Sequence, residues 1–286
     1  MKLGILGGSG LYQLAALTDS AWRAVETPWG APSDELLFGR LGATELVFLP
    51  RHGRGHRLTP SEINYRANIA ALKMAGCTDI LSISACGSFR EAMPPGTFVL
   101  VDQFVDRTRG RTKTYFGEGV VGHVAFAEPT CSRLADVAAA SLAACAVPFH
   151  RGGTYLAMEG PQFSTRAESR AYRAAGLDVI GMTNMPEAAL AREAELCYLT
   201  VAMVTDFDAW HDARAAVDVS QVLGVLNANA DNARRFVTEI AARLPTSRKA
   251  CPQGCDRSLD YAIMTAPELR PAASVAKLQA VAGRVL

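Results

Sequence analysis

Residues 62–88, EINYRANIAALKMAGCTDILSISACGS, carry the reading that decides the fold. Glu62 to Ala75 places apolar residues at helical spacing and stops at Gly76, the residue type best suited to the left-handed conformation past a helix end. Asp79 to Ser84 is a short apolar run of the kind a buried strand needs. It runs into a small-residue turn, Ala85-Cys86-Gly87-Ser88. A helix feeding a buried strand, with a glycine-bearing turn at the strand's carboxyl end, is the unit of an α/β sheet.

The alternation continues in both directions. Lys2 to Leu6 predicts a strand ending in Gly7-Gly8-Ser9-Gly10, and Glu45 to Pro50 predicts a strand running into Arg51-His52-Gly53. Strands are expected at Thr97–Phe104, Gly153–Met158, Asp178–Met182 and Cys197–Thr205. Helices are expected at 132–144, 166–175, 186–194 (Pro186 in its first turn) and 220–242. The pattern breaks between Pro245 and Pro271, and Ala273 to Val285 reads as one more helix. No internal repeat or low-complexity linker appears. The prediction is a single α/β domain over 1–244 with helices on both sheet faces. Residues 245–286 form an extension on that domain or on a neighbouring subunit.

Composition excludes several function classes. Of 286 residues 49% are hydrophobic, so a sizeable core is available. The 29 basic and 28 acidic residues leave a net charge of +1, which argues against a nucleic-acid footprint or a membrane-surface patch. The start, MKLGILGGSG, reads as a strand rather than a signal peptide. No apolar run approaches the roughly 18 residues of a membrane span, so a cytoplasmic location is expected. The seven cysteines are expected as buried thiols in a reducing compartment. Cys251-x-x-x-Cys255 reads as a zinc half-site or a disulfide, with no second Cys/His pair close by in sequence.

In open α/β sheets ligands bind at the carboxyl ends of strands. Here those ends present donors: Ser9 in a glycine loop, Arg51 as a fork for phosphate, Ser84 with the backbone of Ala85, and Met182-Thr183-Asn184. Together they predict a pocket for a small tetrahedral anion. Gln13 stands where the dinucleotide fingerprint needs its third glycine. The last strand differs, ending in Thr205-Asp206-Phe207-Asp208. Carboxylates at i and i+2 of an extended chain face one side, and like charges that close raise one pKa, as proton donation requires.

With those residues in place, the chain resembles the methylthioadenosine phosphorylase branch of the trimeric purine nucleoside phosphorylase family. The resemblance covers residues 2–244 in order: GGSG, ETPWGAPSD, RHG, NYRANI, ACGS, DQFVDRT, EGPQFSTRAES, MTNMPEA and TDFDAWHD. It implies a twisted mixed central sheet flanked by helices. It places the phosphate site on Ser9, Arg51, His52, Ser84, Ala85 and Thr183; Ser9 and Ser84 stand where members often have Thr, and the hydroxyl survives. Met182 would lie along the ribose and Phe163 on the purine. Asp206 and Asp208 would face the base and act as the catalytic groups. Relatives acting on 6-oxopurines carry Asn and Glu where this chain has Asp206 and Ser164. A carboxylate accepts from N6–H and a hydroxyl donates to N1, so both changes point to adenine. Val219, with Val217 nearby, replaces a His that holds a 5′-hydroxyl, which suits a methylthio group. His123 matches a residue donated by the neighbouring subunit. Asn184-Met185 and Gln162 depart from some relatives.

The implied reaction is reversible phosphorolysis of 5′-methylthioadenosine to adenine and 5-methylthioribose 1-phosphate. Asp206 would serve N7 and Asp208 N6. Inorganic phosphate is a co-substrate; no metal and no organic cofactor is expected. A homotrimer or a dimer of trimers is implied. Alternatives within the class are phosphorylases for adenosine, inosine or methylthioinosine. Beyond it stand a hydrolytic nucleosidase, a nicotinamide-dependent oxidoreductase and a non-catalytic nucleoside-binding protein.

Overall fold

The computed structural model describes residues 1–8, 10–211, 219–245, 247 and 250–286, and side chains only from 224 onward in the helix that begins at Val219. The first half contains β1 (Lys2–Gly7), β2 (Thr18–Arg23), β3 (Leu36–Leu41), β4 (Thr44–Pro50), α1 (Tyr65–Met74), β5 (Asp79–Ser88), β6 (Phe98–Val101), β7 (Gln103–Asp106) and α2 (Ser132–Ala144). The second contains β8 (Phe149–Arg151), β9 (Thr154–Ala157), α3 (Arg166–Ala174), β10 (Val179–Gly181), α4 (Asn184–Glu193), β11 (Cys197–Asp206), α5 (Val219–Arg243) and α6 (Ala272–Ala282).

Among the described residues the strands form one mixed sheet in the order β2-β3-β4-β1-β5-β10-β9-β7, with β11 leaving β5 toward β6 and β8. β1 is parallel to both β4 and β5, and β11 runs parallel to β5. β10 is antiparallel to β5, as β6 is to β11. Helices cover both faces. One core packs Ile69 and Leu72 of α1 with Leu190 of α4 and Leu278 of α6, and the other packs Leu134 and Leu142 of α2 with Phe236 and Ile240 of α5. Strands buried on both faces explain the unbroken apolar runs of β1 and β11.

Local chemistry accounts for the element ends. Asn64 caps α1 by accepting from the Ala67 N–H at 3.2 Å. Thr165 and Glu168 close a capping box on α3. Three predictions need correction. The single strand expected over 97–104 is two, because the chain leaves β11 for β9 at Asp102, whose carboxylate accepts from the Gly153 N–H at 3.0 Å. The helix predicted from Pro186 is regular from that residue, but a turn at Asn184 precedes it across a kink at Met185, which takes φ −119°, ψ 132°, the extended bias a following proline imposes. β2, β3 and β8 were not foreseen: β2 is a largely exposed edge, β8 has three residues, and β3 carries Gly39 against Leu17. None shows a clear two-residue period.

Candidate active site

The site begins with a gap in the sheet. β11 occupies one edge of β5 from Asp79 to Gly87. On the other edge β1 pairs through Ser82, and β10 takes over only at Gly87. Residues 83–86 therefore have no strand neighbour there. Ala85, the one exposed residue of β5, looks into this opening. Such a switch point is where open α/β sheets bind ligands. Ser84, His52 and Thr183 belong to the segments that meet here, and Thr183 precedes α4 without a side-chain cap hydrogen bond. Ser9, the remaining expected phosphate ligand, lies outside the described residues.

The Arg51 side chain, expected as a fork for phosphate, is engaged within the fold. Its Nε donates to Glu187 at 2.8 Å. Nη1 donates to the Ile83 carbonyl at 3.1 Å, and Nη2 reaches the Leu6 carbonyl at 3.2 Å, Ser82 Oγ at 2.6 Å and the second Glu187 oxygen at 3.2 Å. Both side chains are almost fully buried, 2% and 1% exposed. Burial works against the guanidinium charge, and the Glu187 carboxylate more than offsets it. Leu6 lies at the end of β1, and Ile83 is the first residue of β5 beyond the β1 pairing, so Arg51 plugs the sheet where pairing fails. Glu187 also accepts from Tyr198 Oη at 2.8 Å, and Asn184 Nδ2 donates to Ser82 Oγ at 2.8 Å and Tyr198 Oη at 3.1 Å. Asn184 Oδ1 accepts from Ser84 Oγ at 3.2 Å, which links the buried network to an expected phosphate ligand. Sequence reading quoted Glu187 within MTNMPEA but gave it no role, because its partner is 136 residues away.

His52 is held by its Nδ1, 2.8 Å from the Leu58 carbonyl, and stacks on His56 at 4.2 Å. A carbonyl only accepts, so Nδ1 carries the proton and Nε2 of the neutral ring keeps a lone pair. Burial pushes the imidazole pKa down to about 4, with the nearby charge of Arg51 adding to the effect. His52 is neutral near pH 7.

The acidic pair is built differently from the extended arrangement expected. β11 ends at Asp206 after an irregularity between Val204 and Asp206, and Asp208 opens a 3-10 turn with φ +44°. The two carboxylates thus do not alternate along one strand face. Asp206 Oδ1 accepts from the Asp208 N–H and Oδ2 from Thr205 Oγ1, both at 2.8 Å. Trp210 Nε1 donates to the Ser88 carbonyl at 2.7 Å and pins the turn to β5. Both groups still converge on Gly87: a Cβ there would lie 2.9 Å from Asp206 Oδ1 and 3.3 Å from Asp208 Cβ. Burial raises the Asp206 pKa against the two hydrogen bonds. Burial also raises that of Asp208, with the Asp206 charge adding to it and Ser169 and Ser164 opposing. Asp208 Oδ2 is buried without a hydrogen bond.

Around this pair the structure gathers part of the expected substrate set. Ser164 is buried beside Asp208, and Phe163 before it is 47% exposed, a large ring left open to solvent. Met182 is half-buried, its carbonyl held by Arg111 Nη1 at 2.6 Å. Arg111, which drew no notice in the sequence, also donates to the carbonyls of Met185 at 2.9 Å and Glu159 at 2.8 Å. It thereby ties the loop before Phe163 to the start of α4. The chain's own fold does not bring His123 into this cluster. That residue is exposed, with its N–H bonded to the Ala262 carbonyl at 2.9 Å. Val217 and the side chain of Val219 lie outside the described residues.

Comparisons with known proteins agree with this architecture. Residues 2–242 match the model of the phosphorylase superfamily. A Cereibacter sphaeroides protein named S-methyl-5′-thioadenosine phosphorylase is 58% identical, with 99% of this chain and 98% of that protein covered. A methylthioadenosine phosphorylase crystal structure from an antarctic soil metagenomic library superposes with a TM-score of 0.93 at 44% identity, covering 98% of each chain. The methylthioadenosine phosphorylase of Schistosoma mansoni in complex with adenine gives 0.86 at 36% identity, covering 92% of this chain and 99% of that one. The gapped mixed sheet, the strand-end donors and these likenesses place the chain in the phosphorylase superfamily, within its S-methyl-5′-thioadenosine phosphorylase branch.

Proposed function

We propose that this enzyme catalyses the reversible phosphorolysis of 5′-methylthioadenosine to adenine and 5-methylthioribose 1-phosphate. The observation that carries the reading is a buried carboxylate pair of raised pKa set around Gly87, at the end of the gap in the sheet. Phosphate takes the gap, held by Ser84, the Ala85 backbone, Thr183, His52 and Ser9. Arg51 acts as a positioning residue that fixes the floor of that site through Glu187 and the β1 and β5 carbonyls. The nucleoside lies between gap and pair, its ribose along Met182 and its purine on Phe163.

The chemistry balances with these groups. A phosphate oxygen attacks C1′ while the bond from C1′ to N9 breaks, passing through a cation-like ribosyl group that the phosphate charge stabilises. Asp206, whose pKa burial raises, serves as the proton donor to N7 of the departing base. The neutral His52 offers its Nε2 lone pair as a hydrogen-bond acceptor to a phosphate hydroxyl, and the proton that phosphate gives up passes to solvent. Asp208 Oδ2, buried without a partner, accepts from the 6-amino group, and Ser164 donates to N1. A 6-oxopurine would set a lone pair against that carboxylate. Phosphate is the co-substrate; the reaction needs no metal or organic cofactor.

Several features concern the assembly. Val121, Met264 and Leu269 are apolar and exposed, and the Met264 N–H bonds to the Val121 carbonyl beside His123. This patch suits a subunit contact in a homotrimer, or a dimer of trimers, with His123 serving the neighbour's site. Residues 245–286 extend the 1–244 domain rather than forming a second one, and α6 packs on the same core as α1. Val219 is assigned to the methylthio wall. Among the described residues no helix is long and apolar enough to cross a membrane, in keeping with a cytoplasmic enzyme.

The test is base release from methylthioadenosine, adenosine and inosine, each with and without phosphate. Phosphate-dependent adenine release, fastest from methylthioadenosine and absent for inosine, is expected. Release without phosphate would remove the anion site from the account, and hypoxanthine release would remove the Asp208 and Ser164 reading.

A further inference from the structure

The Cys251-x-x-x-Cys255 turn meets two cysteines distant in sequence. Cys131 precedes α2 and Cys197 opens β11. The four sulfurs are buried and all lie within 4.8 Å of one another, with Cys131 Sγ and Cys251 Sγ 3.6 Å apart. A tetrahedral zinc with bonds of about 2.3 Å to sulfur holds its ligands about 3.8 Å from each other.

We propose that Cys131, Cys197, Cys251 and Cys255 form a closed tetrathiolate site for one zinc ion, structural in role and separate from the catalytic centre. Backbone bonds set each ligand in place. Cys131 N–H donates to Tyr198 at 2.8 Å and Cys197 N–H to Thr78 at 3.1 Å. The Cys251 carbonyl accepts from the Gly254 N–H at 2.9 Å, with Gly254 at φ +68° turning the chain so that Cys255 faces back. Gln253 Oε1 accepts from the Ser132 N–H at 2.6 Å and docks this turn on α2.

Four thiolates around one divalent ion leave a net charge of −2, and two features offset it. The N-terminus of α2 opens at Cys131, and the Arg133 guanidinium lies beside Cys197 with its buried Nε lacking a partner. Four soft sulfur ligands with no water position describe a structural zinc site. A two-iron cluster separates its thiolate pairs farther than this. Two disulfides would draw the sulfurs into pairs at about 2.05 Å, whereas every cysteine here is free. The site joins the start of β11 to a segment that, among its described residues before α6, carries two short 3-10 turns. Asp206 ends the same ten-residue strand, about 30 Å away. Zinc thus fastens the C-terminal extension without touching the reaction, and the inference stands independently of the substrate assigned above.

The experiment measures metal in the full-length protein purified under reducing conditions without chelator. About one zinc per chain is expected, released to a colorimetric chelator when a mercurial blocks the thiols. Replacement by Co(II) should give thiolate-to-cobalt charge-transfer absorption and tetrahedral visible bands. The double variant C251S/C255S should lose the zinc and about 10 °C or more in Tm, with kcat on the nucleoside unchanged. Should that variant fail to fold, wild-type protein stripped by mercurial and chelator, then reduced, is compared before and after zinc is restored, and the Tm should recover. Less than about a tenth of an equivalent of zinc after reduction and zinc incubation would overturn the proposal. So would bound iron, or an intact mass showing disulfides among these four residues.

Discussion

Replacing Glu187 by alanine tests whether Arg51 is a buried strut or an open anion clamp. In the native protein Glu187 receives two N–H bonds from Arg51 and one hydrogen bond each from Ser82 and Tyr198. All three partners are buried, and Arg51 is 2% exposed. The variant therefore leaves a guanidinium and two hydroxyls without their acceptor. Breaking a buried ion pair from one side costs about 3–5 kcal/mol, because the surviving charge has no compensation. At about 2–4 °C per kcal/mol for a domain of this size, Tm should fall by about 6–20 °C. E187Q keeps an acceptor oxygen but not the charge, and should fall between the variant and wild type. The double variant R51M/E187L removes both charges and should recover much of the loss, a positive coupling in a double-mutant cycle. Calorimetry gives the stabilities, and initial rates against phosphate concentration give the linked effect. With Ile83 and Leu6 no longer tied together, the phosphate KM should rise in E187A. A Tm within about 2 °C of wild type, or additive single effects in the cycle, would refute the strut.

Other expectations rest on single contacts. D206N removes the proton donor and should cut kcat on methylthioadenosine by about 10²- to 10⁴-fold, with near-native Tm; full activity would remove Asp206 from acid catalysis. The raised pKa of Asp206 also predicts that activity declines as pH climbs through that value, a limb that D206N should flatten. His52 binds its proton more weakly folded, at about 4 against an ordinary 6.5. The unfolded chain is protonated first, so the stability from keeping this ring neutral is present above pH 6.5 and lost as pH falls toward 4. H52Q should therefore lose less Tm than wild type between pH 7.5 and 5, and parallel Tm curves would refute the assignment. A Cβ at Gly181 would lie 1.9 Å from Tyr155 Oη. G181A should cost more than about 2 kcal/mol in urea unfolding, partly recovered by adding Y155F; a cost under 1 would show that Tyr155 has room to move.

What could be read in advance was whatever chemistry repeats at short range. The α2 helix came out at Ser132–Ala144 as expected, and the edges of β1, β4, α3 and β11 fell within a residue, because apolar period and capping act over three or four positions. The polar strand ends were equally legible, since a buried run must stop where the chain turns into solvent. β2 escaped because an exposed edge imposes little pattern on its residues.

The sequence by itself thus determined the class of fold, the strand-end positions from which a site could be built and the acidic residues near Asp206. Tertiary structure alone decided what those residues do. Arg51 reads as an open fork until Glu187, 136 residues on, accepts from its Nε and Nη2. Asp206 and Asp208 read as facing one side of an extended strand until the 3-10 turn sets them at different angles around Gly87. Cys251 and Cys255 read as half a site until Cys131 and Cys197 close it. Local propensity is a sum over neighbours in the chain, whereas the fate of a buried charge, a proton or a thiol depends on neighbours in space, and those are chosen only when the sheet has formed.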